Sequence, residues 1–266
     1  MHTNIFESVI HTIPVEKNLH FFKAHIFPLI HPVHWLTSHF AVGGFSPLQR
    51  LSGMLTAHMT QIAPRNGFGW HPHRGLEIYT YVIDGKLYHE DSTGGKGWIS
   101  AGEVQRMFSG HFIQHQELNR TDAFSRVIQI WFAVDARHMN VDPHYEQVSL
   151  SAMPARLHGD GVVREVMGPN GATRRHVNAR LTSTVLPAGG TAELEPPHPD
   201  EDLFLYFVNG NGRFQSPTHT EQIDLYDVVL AAPNAETAVI TAGDQPLTYL
   251  SFYLKPFIQP ILEKQS

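Results

Sequence analysis

Two pairs of side chains in this chain have the types and the spacing to hold a metal ion. His71 and His73 stand two residues apart in the run G-F-G-W-H-P-H-R-G over 67–75. His115 and Glu117 stand two apart in G-H-F-I-Q-H-Q-E over 110–117. On a β-strand, residues i and i+2 face the same side, so each pair aims both side chains at one interior point. If the two strands are neighbours, the four groups converge from a rectangle of roughly 5 Å by 7 Å. Imidazole and carboxylate arms close that gap to metal bonds of about 2.0–2.2 Å. Three imidazoles and a carboxylate form a site of intermediate softness, suited to Fe, Mn, Co, Ni, Cu or Zn. The spacing alone identifies nothing, because among 19 histidines roughly one pair of each kind arises by chance.

The surrounding elements strengthen the pattern. The first pair precedes Ile78 to Ile83, a β-branched and aromatic run that ends in the hairpin signal Asp84-Gly85. The second pair precedes another such run, Val127 to Phe132. Further short strands are expected at Leu51–Ile62, Lys86–Asp91, Trp98–Ser100 and Val104–Phe108, separated by Gly- and Pro-containing turns. Phe21-Phe22 and Ile26-Phe27 read as a lead-in strand packed on this barrel. The many histidines of the first forty residues show no regular ligand spacing and read as scattered surface residues. Ser92 to Gly97 lacks the Lys-Ser/Thr ending of a phosphate loop and reads as a turn.

This stretch resembles the pirin family, a branch of the cupin superfamily. The family signature H-P-H-R-G matches His71 to Gly75, G-E-V-Q-x-M matches Gly102 to Met107, and G-x4-H-x-E matches Gly110, His115 and Glu117. The resemblance implies His71, His73, His115 and Glu117 as metal ligands. The general cupin pattern places a glutamate five residues after the second histidine, where this chain has Ile78 and Glu77 is one residue early. Pirins share that departure and take their carboxylate from the second motif.

The second half reads as a worn copy of the first. Aligning turn glycines Gly85 and Gly210 places Pro196 on His71 and His198 on His73, with Tyr226-Asp227-Val228 near Gly102-Glu103-Val104. No histidine lies between Asp227 and Leu254, so lone His198 is a remnant rather than a ligand. The expected fold is all-β, two tandem cupin barrels in a bicupin, with a short terminal helix from Pro260. The expected division is 1–135 for the metal-bearing domain, 136–160 for a linker and 161–266 for a degenerate domain.

Composition narrows the function. A formal net charge of −6 and no long basic run argue against direct nucleic-acid binding. The absence of cysteine excludes disulfides, thiolate metal sites and cysteine nucleophiles. No apolar run is long enough to span a membrane and no secretory signal is evident, so a cytoplasmic location is expected. The resemblance implies iron(II) and quercetin 2,3-dioxygenase activity, with a flavonol and O2 as partners and Glu117 as catalytic base. The alternative it offers is a metal- or redox-switched partner of a transcription factor that needs no turnover, against which the acidic balance and the lack of a basic cluster count. Phe68, Trp70, Met107 and Phe112 flank the ligand strands as candidate cavity walls, and barrel core explains them as well. Arg74, Glu77 and Gln114 are candidates to orient the ligands.

Overall fold

The computed structural model describes residues 19–173 and 176–256. The terminal helix expected from Pro260 lies outside these residues. Each half of the chain builds a barrel from one seven-stranded and one four-stranded antiparallel sheet. In the first half the large sheet runs in the order His144–Val148, Val104–Phe108, Leu76–Asp84, Ser125–Ala133, Met54–Ile62, Leu36–Val42 and Leu29–Val33. Its small sheet runs Gly67–His73, Ile113–Leu118, Lys86–Asp91 and Lys96–Ser100. The second half repeats the plan, with Asp202–Asn209 and Leu247–Leu254 at the centre of its large sheet.

The large sheets are buried on both faces, and their sequences show it. Leu203 to Val208 is an unbroken apolar run, and every one of its residues is buried. Alternate residues face different cores. From the first half Tyr79, Tyr81, Ile128, Ile130 and Phe132 join Phe204, Tyr206, Leu250 and Phe252 of the second in one inter-barrel core. Their neighbours Ile78, Val82 and Val127 face the first barrel's interior clusters instead.

The boundary between halves departs from expectation in both directions. Strand Leu19–Phe22 does not join a sheet of the first barrel; it pairs with Val228–Ala231 of the second. Strand His144–Val148, inside the expected linker, pairs with Val104–Phe108 of the first. Ala155–His158, also inside it, is an edge strand of the second large sheet. Each half thus lends the other an edge strand, which covers an exposed ladder of the receiving sheet. Asp227 fastens one exchange, accepting from the Ala24 amide at 2.6 Å and the Lys23 ammonium at 2.7 Å. Ile26 lies in a short 3-10 turn, Ala24–Ile26, and not in a strand.

His71 and His73 also sit differently from expectation. They belong to the small sheet, whereas the apolar run after them belongs to the large one. The chain turns between the sheets at Arg74-Gly75. Gly75 has φ of +68°, a conformation that disfavours any side chain.

Candidate metal centre

Strands Gly67–His73 and Ile113–Leu118 are direct antiparallel neighbours, with His115 opposite His71 and Ile113 opposite His73. The register slips between His115 and Glu117, so that Gly69 and Trp70 together oppose Gln116. Such a bulge bends its strand and re-aims side chains. Here it is accompanied by a contact between His71 Nδ1 and the Gly69 carbonyl at 2.8 Å. A carbonyl only accepts, so Nδ1 donates and Nε2 is left as the free lone pair.

The three imidazoles meet. Ring centroids are 4.3 Å apart for His71 and His115, and 5.0 Å for His73 with each of the others. One nitrogen from each lies within 4.8 Å of the other two. Donors on one metal with bonds of about 2.1 Å stand roughly 3 Å apart, so a modest side-chain adjustment brings them onto an ion. Their protonation suits the task. Burial first, then the neighbouring histidines, pushes His115 down to about 2. Burial and His71 push His73 down to about 4. Both rings are neutral near pH 7 and present lone pairs. His115 Nε2 is buried with no hydrogen-bond partner among the described residues, an orphan that a metal would satisfy. The donor set fits a divalent transition metal.

Glu117 falls in a second group, with His89 and His115. Its carboxylate is held on both sides. Oε1 accepts from Thr80 at 3.2 Å and from the Gln105 amide; Oε2 accepts from Gln129 at 2.6 Å. These donors come from three strands of the large sheet, so the carboxylate joins the two sheets across the barrel interior.

His89 and Asp91 escaped the sequence reading. Strand Lys86–Asp91 pairs with the His115 strand on its other side, with His89 opposite Glu117 and Asp91 opposite His115. His89 Nε2 donates to Asp91 at 3.0 Å, which leaves its Nδ1 as acceptor, 3.5 Å from His115 Nδ1. Asp91, His89 and His115 thereby form a chain that points the His115 Nε2 lone pair away from His89 and into the cluster. The ring of His89 also stacks on Tyr145 at 4.2 Å. The signal was present: His89 and Asp91 have the same two-residue spacing as the other pairs.

A cavity of about 500 Å³ opens on the cluster. His71, His73, His115 and Glu117 meet it from the small sheet and Gln129 from the large one, with Phe68, Trp131, Ile78, Leu36 and Phe40 among its apolar lining. That volume lies in the usual range for small-molecule sites, about 300–1,000 Å³. Of the four expected wall residues only Phe68 lines it. Trp70 and Phe112 are 53% and 47% exposed, and Met107 packs with Ile78 and Ile113 in the barrel core. Trp131, which meets His73 edge-on at 5.1 Å, supplies the indole wall that Trp70 does not.

The three residues expected to orient the ligands lie elsewhere. Arg74 is exposed at the turn between sheets, and Gln114 is exposed because strand alternation turns it away from its neighbour His115. Glu77 is fully buried but on the opposite face from cavity-lining Ile78. There it accepts from Arg106 at 2.9 Å, from the Tyr79 hydroxyl at 2.6 Å and from the His176 amide at 2.7 Å. It fastens the two halves together rather than supporting the cluster.

Comparison with known proteins agrees with this architecture. Residues 33–132 match the family model described as Pirin. A pirin-like protein of Solanum lycopersicum is 28% identical over 226 residues, 83% of this chain and 76% of its own. A Zymomonas mobilis protein named "Putative quercetin 2,3-dioxygenase" is 54% identical over 71 residues, 27% of this chain and 30% of its own. The solved structure of the bacterial pirin YhhW from Escherichia coli, in complex with nickel(II), superposes with a TM-score of 0.73 at 23% identity. That match covers 90% of this chain and 99% of the other, and it establishes the shared fold. With its duplicated barrels and its motif-bearing first half, the chain has the bicupin fold, and over residues 33–132 it is similar to the pirin family.

Proposed function

We propose that this protein is a metal-dependent quercetin 2,3-dioxygenase, with iron(II) as its metal and a flavonol as its substrate. The observation that carries the reading is the junction of a three-imidazole cluster, a buried carboxylate and an apolar cavity of about 500 Å³. The identity of 54% to the Zymomonas protein over 71 residues supports it. His71, His73 and His115 would hold the ion, with Glu117 as the fourth ligand or the adjacent base. A bound divalent metal supplies Lewis acidity toward a ring hydroxyl and open positions for substrate and O2.

The protein groups do the rest. Phe68 and Trp131 give a planar ring system apolar faces to lie against. Ring opening requires the flavonol 3-hydroxyl to lose its proton. Glu117 is the carboxylate at the cavity wall that takes it, held in place by Gln105, Gln129 and Thr80. The ring then breaks two carbon–carbon bonds, both atoms of O2 enter the ester product, and the carbon between those bonds leaves as carbon monoxide. The apolar lining keeps water from competing with O2.

Anaerobic reconstitution with Fe(II), followed by O2 uptake and carbon monoxide release with quercetin, tests this. The expected result is turnover in the wild type and a loss of about 100-fold or more in kcat for Glu117→Gln, the usual scale for a general base. Parallel loading with Ni, Cu, Mn, Co and Zn identifies the productive metal. Tight metal binding with no turnover by any of them would contradict the reading and favour a metal-switched binding role.

A further inference from the structure

The cavity has a second polar wall. Strand Met54–Ile62 turns Thr56, His58 and Thr60 into it, because residues two apart share a face. This strand belongs to the large sheet, across the barrel interior from the strands that carry the imidazole cluster. His58 is 8% exposed and Thr60 is fully buried. The His58 ring is fixed on two sides. It stacks on Phe40 with centroids 4.6 Å apart and planes 17° from parallel, and its Nδ1 lies 3.2 Å from Thr56 Oγ1.

That second contact sets the tautomer. The Thr56 hydroxyl donates its single hydrogen to the Val42 carbonyl at 2.9 Å, so toward His58 it offers only a lone pair. His58 Nδ1 therefore carries the hydrogen, and Nε2 is a bare acceptor. Among the described residues no protein group bonds to Nε2; the ring's one hydrogen bond is the one to Thr56. Burial pushes the ring down to about 4, so it stays neutral at physiological pH. Thr60 Oγ1, two residues on, is buried and has no hydrogen-bond partner among the described residues. Buried polar groups of this kind are costly unless something satisfies them.

We infer that His58 and Thr60 bind a second hydroxyl of the substrate, with His58 Nε2 accepting its proton-bearing side and Thr60 Oγ1 beside it. This rests on the flavonol reading and narrows it. The preferred substrate is a polyhydroxylated aromatic that reaches from the imidazole cluster to the opposite sheet, and a flavonol bearing the 3-hydroxyl alone is a poorer ligand. His58 is a substrate-binding residue here and takes no part in holding metal.

The test is ligand affinity of the nickel(II)-loaded protein without O2, read by quenching of tryptophan emission, to which cavity-lining Trp131 contributes. The two probes are quercetin, with hydroxyls on both ring systems, and 3-hydroxyflavone, with none beyond the reacting one. The wild type should prefer quercetin. His58→Phe keeps the flat ring on Phe40 and removes the acceptor. It should lose about fivefold toward quercetin, the scale of one neutral hydrogen bond, and change by less than about twofold toward 3-hydroxyflavone. Thr56→Val frees the tautomer without touching His58 and should reduce the preference in the same direction. Equal affinity for both probes in the wild type, or an unchanged preference in both variants, overturns the assignment of His58 and leaves the flavonol reading standing. Failure of the wild type to bind either probe overturns both.

Discussion

The two barrels share a strand plan and differ in what fills them. In the first, His71 faces His115 across the small sheet; in the second, the equivalent strands pair Ala192 with Ile240 and bury both in the core. Where the first barrel has His89 opposite Glu117, the second pairs Gly212 with Ala242. Its interior is closed by Phe207, Phe214, Ile240 and Tyr249. The first barrel instead carries a polar middle of Thr80, Gln105, Gln129 and Glu117 between apolar clusters at either end. Burying polar groups costs free energy unless each finds a partner. A barrel without a ligand to bind has nothing to gain from them, and the second has replaced them with side chains that pack.

The backbone preserved what the side chains lost. Gly102 and Tyr226 occupy the same turn. Each donates its amide to a central strand of its large sheet, Gly102 to Val82 and Tyr226 to Phe207, and the carbonyl of the next residue accepts in return. Both have positive φ, +82° and +73°. In the second barrel that strained position carries a tyrosine, which stacks on His39 at 4.9 Å and accepts from Arg126 at 3.2 Å. The strain is offset by contacts that tie the halves together.

The sharpest way to break the comparison is to remove ligands from one barrel and their counterparts from the other. His71→Ala with His115→Ala should weaken metal binding by more than about 100-fold, beyond the usual effect of losing an outer hydrogen-bond partner. His198→Ala, which removes the residue aligned with His73, should leave it unchanged. Metal content after dialysis against a calibrated chelator reads both. The next effect is on stability. Phe214→Ala, deep in the second barrel, should cost about 3–5 kcal/mol in chemical denaturation, while the folded fraction retains its metal affinity.

Acid should act through the first barrel. His58 titrates near 6.5 when unfolded and is pushed down to about 4 when folded, by burial. Between these values the unfolded chain binds a proton that the folded chain refuses. This contribution is therefore intact above about pH 6.5 and is lost as pH falls toward 4, on the order of 3 kcal/mol in all. His58→Phe should flatten the stability profile of the metal-free protein across that window. All four tryptophans, Trp35, Trp70, Trp98 and Trp131, lie in the first half, so their emission follows that barrel. The smallest effect is at the shared turn. Gly102→Ala should cost about 1 kcal/mol, because its Cβ would meet positive φ and a Leu150 methyl at 3.1 Å.

Much of this was legible in the sequence, for physical reasons. The duplicated fold showed because large-sheet strands buried on both faces must be apolar throughout, and turn glycines mark their ends at Gly85 and Gly210. The imidazole cluster showed because strand periodicity fixes which residues share a face. His198 is exposed in a loop, as befits a remnant. What failed was whatever depends on strand order. His89 reaches the site only because its strand pairs with the His115 strand. Glu77 looked like a support for the ligands, but a single step of alternation turns it to Arg106 on the other face. The exchange of edge strands at Leu19–Phe22 and His144–Val148 left no local mark, since an edge strand reads alike whichever sheet receives it.

Crystals soaked in nickel(II) and measured at the metal's absorption edge test the central claim most directly. One anomalous peak per chain, about 2.1 Å from nitrogens of His71, His73 and His115, with none in the second barrel, is the predicted result. A peak centred on His89, His115 and Glu117 without His71 and His73, or a metal in the second barrel alone, would contradict it.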